Sequence, residues 1–396
     1  MSNEVIAMIR SIENESRRRF LKGTAGLTLA VYLPWSLADG AARANKAGEF
    51  EPNAFLRIGE DNVVTVISKH LEMGQGAYTG LATLVAEELD ADWAQVRVES
   101  APAESRYNNS LLGIQGTGGS SSIANSWEQL RKAGATARAM LVSSAAWLWK
   151  VPAQEIEVVD GLVRHAASGK QATFGQLARL ASAQPVPDEV TLKDPSAFKL
   201  IGRQQLARKD SADKVNGKAI YTQDIHLPGM LTAVVAHPPR FGATVKSFDA
   251  KAALAIPGVV HVVQIPSGIA VVAKDTWSAK KGRDAVTIQW DESAAFKQSS
   301  EQLFQRYREL AKTQGAVVRD DGDVNAGLAG ATRTLDAEYD FPFLAHSAME
   351  PMNCVVALTK DGCETWHGAQ MQTQVQTVLA ELFGIKPQQV QVHTLY

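Results

Sequence analysis

The chain has 396 residues, is 45% hydrophobic and 21% charged, and carries a formal net charge of -2 at pH 7. This is ordinary globular composition with length for two or three domains, and near-neutral charge without a long basic stripe argues against nucleic acid as a partner. The two cysteines, Cys354 and Cys363, cannot by themselves hold an iron–sulfur cluster or a four-cysteine zinc site, and none of the eight histidines stands at HExxH spacing.

In chain order, "SRRRFLKGTAGLTLAVYLPWSLA" places Arg17, Arg18 and Arg19 before an apolar stretch from Ala25 to Leu37, with a small-residue A-x-A at Ala42-Arg43-Ala44. It is too short and interrupted to span a membrane, no later stretch approaches about eighteen apolar residues, and Ser16 to Lys22 match the twin-arginine export pattern. That pattern implies a periplasmic protein that folds around a cofactor before export. "FLRIGEDNVVTVISKHLEMGQG" reads as a β-hairpin turning at residues 59–62 and leading into a glycine loop. A helix over 79–89, a strand at "AQVRVESA", a loop at "LLGIQGTGGSSS" and a long helix from Ile123 follow.

A short strand pair and the helix "TFGQLARLASA" complete residues 151–183. Residues 184–210, without clear periodicity and with three prolines, read as a linker. From Ser211 to about Ser293 the strands "MLTAVVAHP", "VVHVVQI", "GIAVVA" and "AVTIQW" alternate with two helices, an α+β pattern. From Ala294 a helix, "SEQLFQRYRELAKT", is followed by a mostly strand stretch over 332–370, the helix "QTQVQTVLAELFG" and a buried strand, "QQVQVHTLY". Cys354 and Cys363 could pair if adjacent strands bring them together, or remain two buried thiols.

Two glycine loops precede helices and offer backbone N–H groups at positive helix ends, a geometry for anions. The first is Glu72-Met73-Gly74-Gln75-Gly76, where the Gln75 amide can both donate and accept. The second is Gly116-Thr117-Gly118-Gly119-Ser120-Ser121-Ser122, with three hydroxyls. Both also fit ordinary turn and cap chemistry; together they suit an extended, phosphate-containing ligand. Neither holds GxGxxG or GxxxxGK[ST], so nicotinamide and nucleoside triphosphates lack their usual residues. Later, His346 and Glu350 could serve a site or simply satisfy each other, and Trp366 to Gln372 lie at a strand-to-helix switch, where ligands bind.

With "HLEMGQGAYTGLATLVAEEL", "GTGGSSSIANSWEQLRKAGATAR", the segment from Asp213 to Val263, "HSAMEPMNCVVAL" and "ETWHGAQMQTQVQTVLAELFG" in this order, the chain resembles the molybdopterin-binding large subunit of the xanthine dehydrogenase and aldehyde oxidase family. The position of the Gly-Gln-Gly loop makes it similar to the periplasmic isoquinoline 1-oxidoreductase branch. The resemblance implies an α+β fold with a twin-arginine signal over 1–44, the first, permuted part of the molybdopterin-binding domain over 45–183, a linker over 184–210, an α/β hammerhead over 211–293, and the opening of a second molybdopterin-binding part over 294–396.

It also implies that Gly74, Gln75, Gly76, Gly118, Gly119, Ser120, Ser121 and Ser122 hold a molybdopterin cytosine dinucleotide, and that Gln370 lies near the molybdenum. The expected reaction is oxidation of an aldehyde or N-heterocycle with water-derived oxygen, electrons leaving through a small subunit with 2Fe–2S clusters. Family members are about twice as long. Their later glycine-rich loop and general-base glutamate have no counterpart here, so no catalytic residue is assigned, and the expectation is a front half needing a second chain. The competing expectation is a non-catalytic fragment; a solute-binding module would need a two-lobed repeat that is not seen.

Overall fold

The computed structural model describes residues 55–203 and 205–396. The twin-arginine segment and its boundary at residue 44 lie outside the described residues. Elements in chain order are β1 (Leu56–Ile58), β2 (Val64–Ser68), α1 (Ala77–Leu89), β3 (Val96–Ser100), α2 (Ser122–Trp149), β4 (Ile156–Val159), β5 (Leu162–His165), β6 (Lys170–Thr173), α3 (Phe174–Ser182) and α4 (Ser211–Val215). There follow β7 (Thr232–Ala236), β8 (Thr244–Asp249), α5 (Lys251–Leu254), β9 (Val259–Ile265), β10 (Gly268–Ala273), α6 (Thr276–Ala285), β11 (Thr287–Asp291), α7 (Ser300–Ala311) and α8 (Val324–Ala329). The chain closes with β12 (Val355–Leu358), β13 (Cys363–His367), α9 (Gln372–Phe383) and β14 (Val390–Thr394).

Among the described residues two compact units emerge: residues from 55 up to His226 together with Met352–Tyr396, and Leu227–Pro351. In the first, the turn at Gly59 closes β1 on β2 antiparallel, and β3 returns parallel to β2 after α1 has crossed over. Leu56, Ile58, Val64, Val66, Leu81, Val85 and Leu89 bury one continuous core with Leu130, Met140, Leu141 and Phe174. The helices α1 and α2 approach closely at Gly134, where an added Cβ would lie 2.5 Å from the Val85 carbonyl oxygen and 3.0 Å from the Glu88 Cβ. Here glycine is required by space, at a helix-interior cost of about 1 kcal/mol relative to alanine.

Residues 184–210 hold no long element, yet they are not a free tether. The buried Glu87 carboxylate at the end of α1 accepts the N–H groups of Lys199, Leu200 and Ile201, and the Lys193 ammonium reaches both Glu87 and Asp90. Burial opposes the charge of Glu87, but these donors outweigh it and hold the carboxyl below its usual range. Glu88, fully buried, pairs with Arg131 of α2 at 2.7 Å. The acidic end of α1 thus organises a strap that composition alone marks only as irregular.

The closing segment forms its own sheet in the order β12-β13-β14, antiparallel then parallel, with α9 as the crossover. Cys363, Ala380, Val390 and Val392 bury its core against Ala103. Both cysteines are free thiols, Cys354 exposed and Cys363 buried; burial pushes the Cys363 thiol up to about 11.

In the second unit β7, β10 and β9 form one antiparallel sheet and β8 pairs with β11 in another. The strand β8, "TVKSFD", was not expected; its side chains are largely solvated, so it has little apolar signature. The expectation of mostly strand over 332–370 is corrected: before β12 the backbone is irregular, and Leu335, Tyr339, Phe341 and Phe343 are exposed. Their alternation suits a strand, but no described neighbour pairs with them, and an unpaired strand is not stable. Among the described residues no helix is long and apolar enough to cross a membrane.

Candidate functional site

Both glycine loops lie in the first unit, and a Cβ on Gly80 of α1 would stand 2.7 Å from the Ile123 side chain in the first turn of α2. The two helix starts are neighbours. Their donors, however, are engaged differently.

At the first loop the fully buried Glu72 carboxylate accepts the N–H groups of Gly74 at 2.7 Å, Gly76 at 3.1 Å and Tyr78 at 3.1 Å. The Arg208 guanidinium adds a charged contact at 3.1 Å and donates to the Gly74 carbonyl at 2.8 Å. An internal anion therefore occupies the start of α1, correcting the expectation that these N–H groups face outward toward a ligand. The Gln75 side chain likewise spans its own loop, donating to the Leu71 carbonyl at 2.7 Å and accepting the Met73 N–H at 2.8 Å. Gly74 and Gly76 take φ of 113° and 90°, and nothing lies within 4 Å of an added Cβ at either. Their glycines answer to backbone conformation, not to crowding.

At the second loop no side chain caps α2 and no acidic residue stands in its first turn. Ser121 is turned inward: its hydroxyl donates to the Gly118 carbonyl at 2.7 Å and accepts from the Asn109 amide at 2.8 Å. Gly119 and Ser120 are exposed, and Ser120 holds a left-handed φ of 55°, a conformation serine rarely adopts. Ser122 is half-buried at the first position of the helix. The open donors of this site thus belong to the second loop.

Lys69 lies beneath the same helix start, only 3% exposed, with its ammonium donating to Asn125 Oδ1 and Gln129 Oε1, each at 2.8 Å. Burial lowers its pKa to about 8. Beside it His70 is buried, with Nδ1 3.4 Å from the Thr117 hydroxyl and Nε2 without a partner among the described residues. Neither residue was singled out by sequence reasoning, since "SKHL" reads as the end of a strand; a lysine and a histidine where the apolar alternation should finish is the only signal.

The strand-to-helix switch meets these loops directly. The Thr117 N–H donates to the Gln370 carbonyl, the Gln370 amide donates to the Thr117 carbonyl, and the Gln115 N–H donates to the Thr373 hydroxyl. His367 is buried with Nε2 unpartnered among the described residues, and Gln372 likewise with Oε1 unpartnered. His346 is exposed and Glu350 half-buried in the second unit. Among the described residues no cluster of His, Cys, Asp and Glu could hold a metal ion. A groove of about 570 Å³ lined by Asp90, Arg138, Ile156 and Val158 includes none of the loop residues.

The molybdopterin cofactor-binding domain matches this chain twice, over residues 8–235 and 309–396. The β subunit of isoquinoline 1-oxidoreductase from Brevundimonas diminuta is 33% identical over an alignment covering 96% of this chain and 54% of that protein. A membrane-bound aldehyde dehydrogenase (pyrroloquinoline-quinone) from Gluconacetobacter polyoxogenes is 32% identical, covering 87% of this chain and 45% of that protein. A nicotinate dehydrogenase subunit from Pseudomonas putida is 29% identical over 87% of this chain and 29% of its own length. The chain spans about half the length of the first two and less of the third. Among solved structures, quinoline 2-oxidoreductase from Pseudomonas putida 86 superposes with a TM-score of 0.37 at 18% identity, over 48% of this chain and 30% of that one. By its domains and its relatives, the chain belongs to the family of molybdopterin-binding large subunits of the xanthine dehydrogenase type.

Proposed function

We propose that this chain supplies part of the cofactor cradle of a periplasmic molybdenum hydroxylase that oxidises an aldehyde or an N-heterocycle with water-derived oxygen. The observation that carries the reading is the junction at Thr117 and Gln370, where an open helix start, the buried Lys69 cation and His70, its Nε2 unpartnered among the described residues, adjoin one seam. Such donors fit the phosphate and polar edges of a molybdopterin cytosine dinucleotide better than a purely structural seam. When bound, that group would provide two-electron redox chemistry at the metal. The chain's own residues would hold and orient it: Gly118 to Ser122 at the phosphates, Gly74 to Gly76 beside them through the braced loop, and Gln370 toward the metal end. A small subunit with 2Fe–2S clusters would take the electrons, consistent with only two cysteines in this chain.

The cradle is shared with further polypeptide, continuous or as a second chain. The share of its relatives that this chain spans, 54% of the isoquinoline 1-oxidoreductase β subunit and 45% of the aldehyde dehydrogenase, favours this. The test is metal and pterin content. Co-purified with a complementing C-terminal half and the small subunit, the chain should carry molybdenum and pterin, and alone far less. A folded, co-purified complex without pterin overturns the reading.

A further inference from the structure

We infer that Lys69 is the buried counter-charge of a phosphoanhydride group seated over the start of α2. This inference rests on the cofactor reading of the second loop and assigns that site a residue outside the glycine and serine motifs. Its starting point is a charge imbalance. An ammonium withdrawn from water is costly unless an anion compensates it, and Lys69, 3% exposed, is held by two neutral amide oxygens, Asn125 Oδ1 and Gln129 Oε1. No carboxylate among the described residues forms an ion pair with it.

The nearby acids are committed elsewhere. Glu72 is filled by the N–H groups of Gly74, Gly76 and Tyr78 and by Arg208. Glu128, on the adjoining turn of α2, pairs with Lys132 in solvent.

The second positive feature is the helix itself. Its 28 residues begin without a side-chain cap or an acidic first turn, so its partial positive charge is also uncompensated. Asn125 joins the two: its N–H bonds back to the Ser121 carbonyl at 2.8 Å, its Oδ1 takes Lys69, and its Nδ2 reaches the exposed Ser110 hydroxyl at 2.6 Å. An anion over Ser120 to Ser122 would face the helix start, and Asn125, whose N–H closes that first turn, links it to the Lys69 ammonium held by Asn125 and Gln129. Two of the three ammonium donors are used, and the remaining one has no described acceptor. The neighbouring His70, buried with Nε2 unpartnered, marks the same wall as incompletely satisfied. A phosphoanhydride suits this seat because it offers several acceptor oxygens and more than one negative charge.

The experiment is calorimetric titration of inorganic pyrophosphate into the full 396-residue chain, as wild type, Lys69→Met and Lys69→Arg, with melting temperatures of each in the absence of ligand. Wild type should bind with an affinity that falls with salt, and Lys69→Met should lose at least about tenfold. Lys69→Arg should keep most of the affinity, and ligand-free Lys69→Met should melt no lower than wild type, because an uncompensated buried charge has been replaced by a side chain of similar length. Equal binding by wild type and Lys69→Met overturns the role of Lys69 alone. Weaker binding by Lys69→Met together with a lowered ligand-free melting temperature also overturns it, as the mark of a structural strut. No pyrophosphate binding by wild type overturns the phosphate seat over α2, whereas the cofactor reading stands or falls separately on the pterin content of the co-purified complex.

Discussion

Thr117 and Gln370 hold each other reciprocally across 253 residues of sequence: the Thr117 N–H donates to the Gln370 carbonyl at 2.8 Å, and the Gln370 amide donates back to the Thr117 carbonyl at 2.8 Å. The pair ties the second glycine loop to the switch between β13 and α9. Replacing Gln370 with alanine removes one of the two bonds and leaves the backbone one, so global stability should fall by only about 1 kcal/mol. The local effect should be larger. Limited proteolysis is expected to cut Gln370→Ala near the seam sooner than wild type; equal cleavage rates would show that the amide does not fasten the loop.

Glu72 is the anion of the first loop. Alanine at this position would strip three N–H groups of their acceptor and leave Arg208 facing an empty site, at a cost of roughly 3 kcal/mol. Arg208 is itself 38% exposed, so Arg208→Ala should cost no more than about 1 kcal/mol. Urea denaturation of both variants checks the ordering. A Glu72→Ala cost below that of Arg208→Ala would mean that water replaces the carboxylate freely.

These contacts also mark where sequence reasoning stopped. The hairpin at residues 59–62, the helices α1, α2, α3 and α9, and the strands β13 and β14 were legible because each buries one face and carries its period in the chain. Glu72, Lys69 and the strap over 184–210 were not. Glu72 could be seen as a loop carboxylate, but not as the acceptor for N–H groups two, four and six residues on. Lys69 meets Asn125 and Gln129 at separations of 56 and 60 residues, beyond any local pattern. The misread stretch before β12 fails for the opposite reason: alternation at Tyr339, Phe341 and Phe343 was present, and the partner strand that would make it count is not among the described residues.

Acid should destabilise the first unit in two separate windows. Burial first, and the adjacent Lys69 charge second, lower His70 from 6.5 to about 4, so the unfolded chain takes up this proton before the folded one. Stability from this group is therefore lost as pH falls from 6.5 to about 4. For Asp210, burial opposes the charge, but the bonds from Arg208 and Lys214 outweigh it and lower the carboxyl from 3.8 to about 2. Its contribution is full above 3.8 and is lost as pH falls toward about 2, a window shared with Glu87 and Asp90, whose carboxyls are also held low. Melting temperatures should show His70→Gln making the upper window shallower, the rest coming from His367, whose pKa burial also lowers, and Asp210→Asn making the lower window shallower. A single transition unaffected by either variant would refute the assignment.

Export should depend on the arginine pair. Lysine at both Arg17 and Arg18 keeps the charge and the apolar run, so a generic secretion signal would still work, whereas a twin-arginine signal would not. The precursor of the double variant is expected to remain in the cytoplasm on fractionation, and an unchanged periplasmic yield would count against this route.

Ser120 separates a cofactor loop from a plain turn. Its left-handed φ of 55° is strained for serine and comfortable for glycine, and its side chain is exposed. In Ser120→Gly the relief of strain and the greater freedom of the unfolded glycine oppose each other, so stability should move by less than about 1 kcal/mol. A hydroxyl kept in that conformation only for packing would then be dispensable. One that faces a phosphate would not be: pterin retained by the reconstituted complex should fall about tenfold in Ser120→Gly, a loss of about 1.4 kcal/mol. Ser120→Thr should be poor in both respects, because a β-branched residue fits positive φ worse still. Pterin content and melting temperature measured side by side on both variants decide it, and unchanged pterin in a stable Ser120→Gly variant would remove this hydroxyl from the cradle.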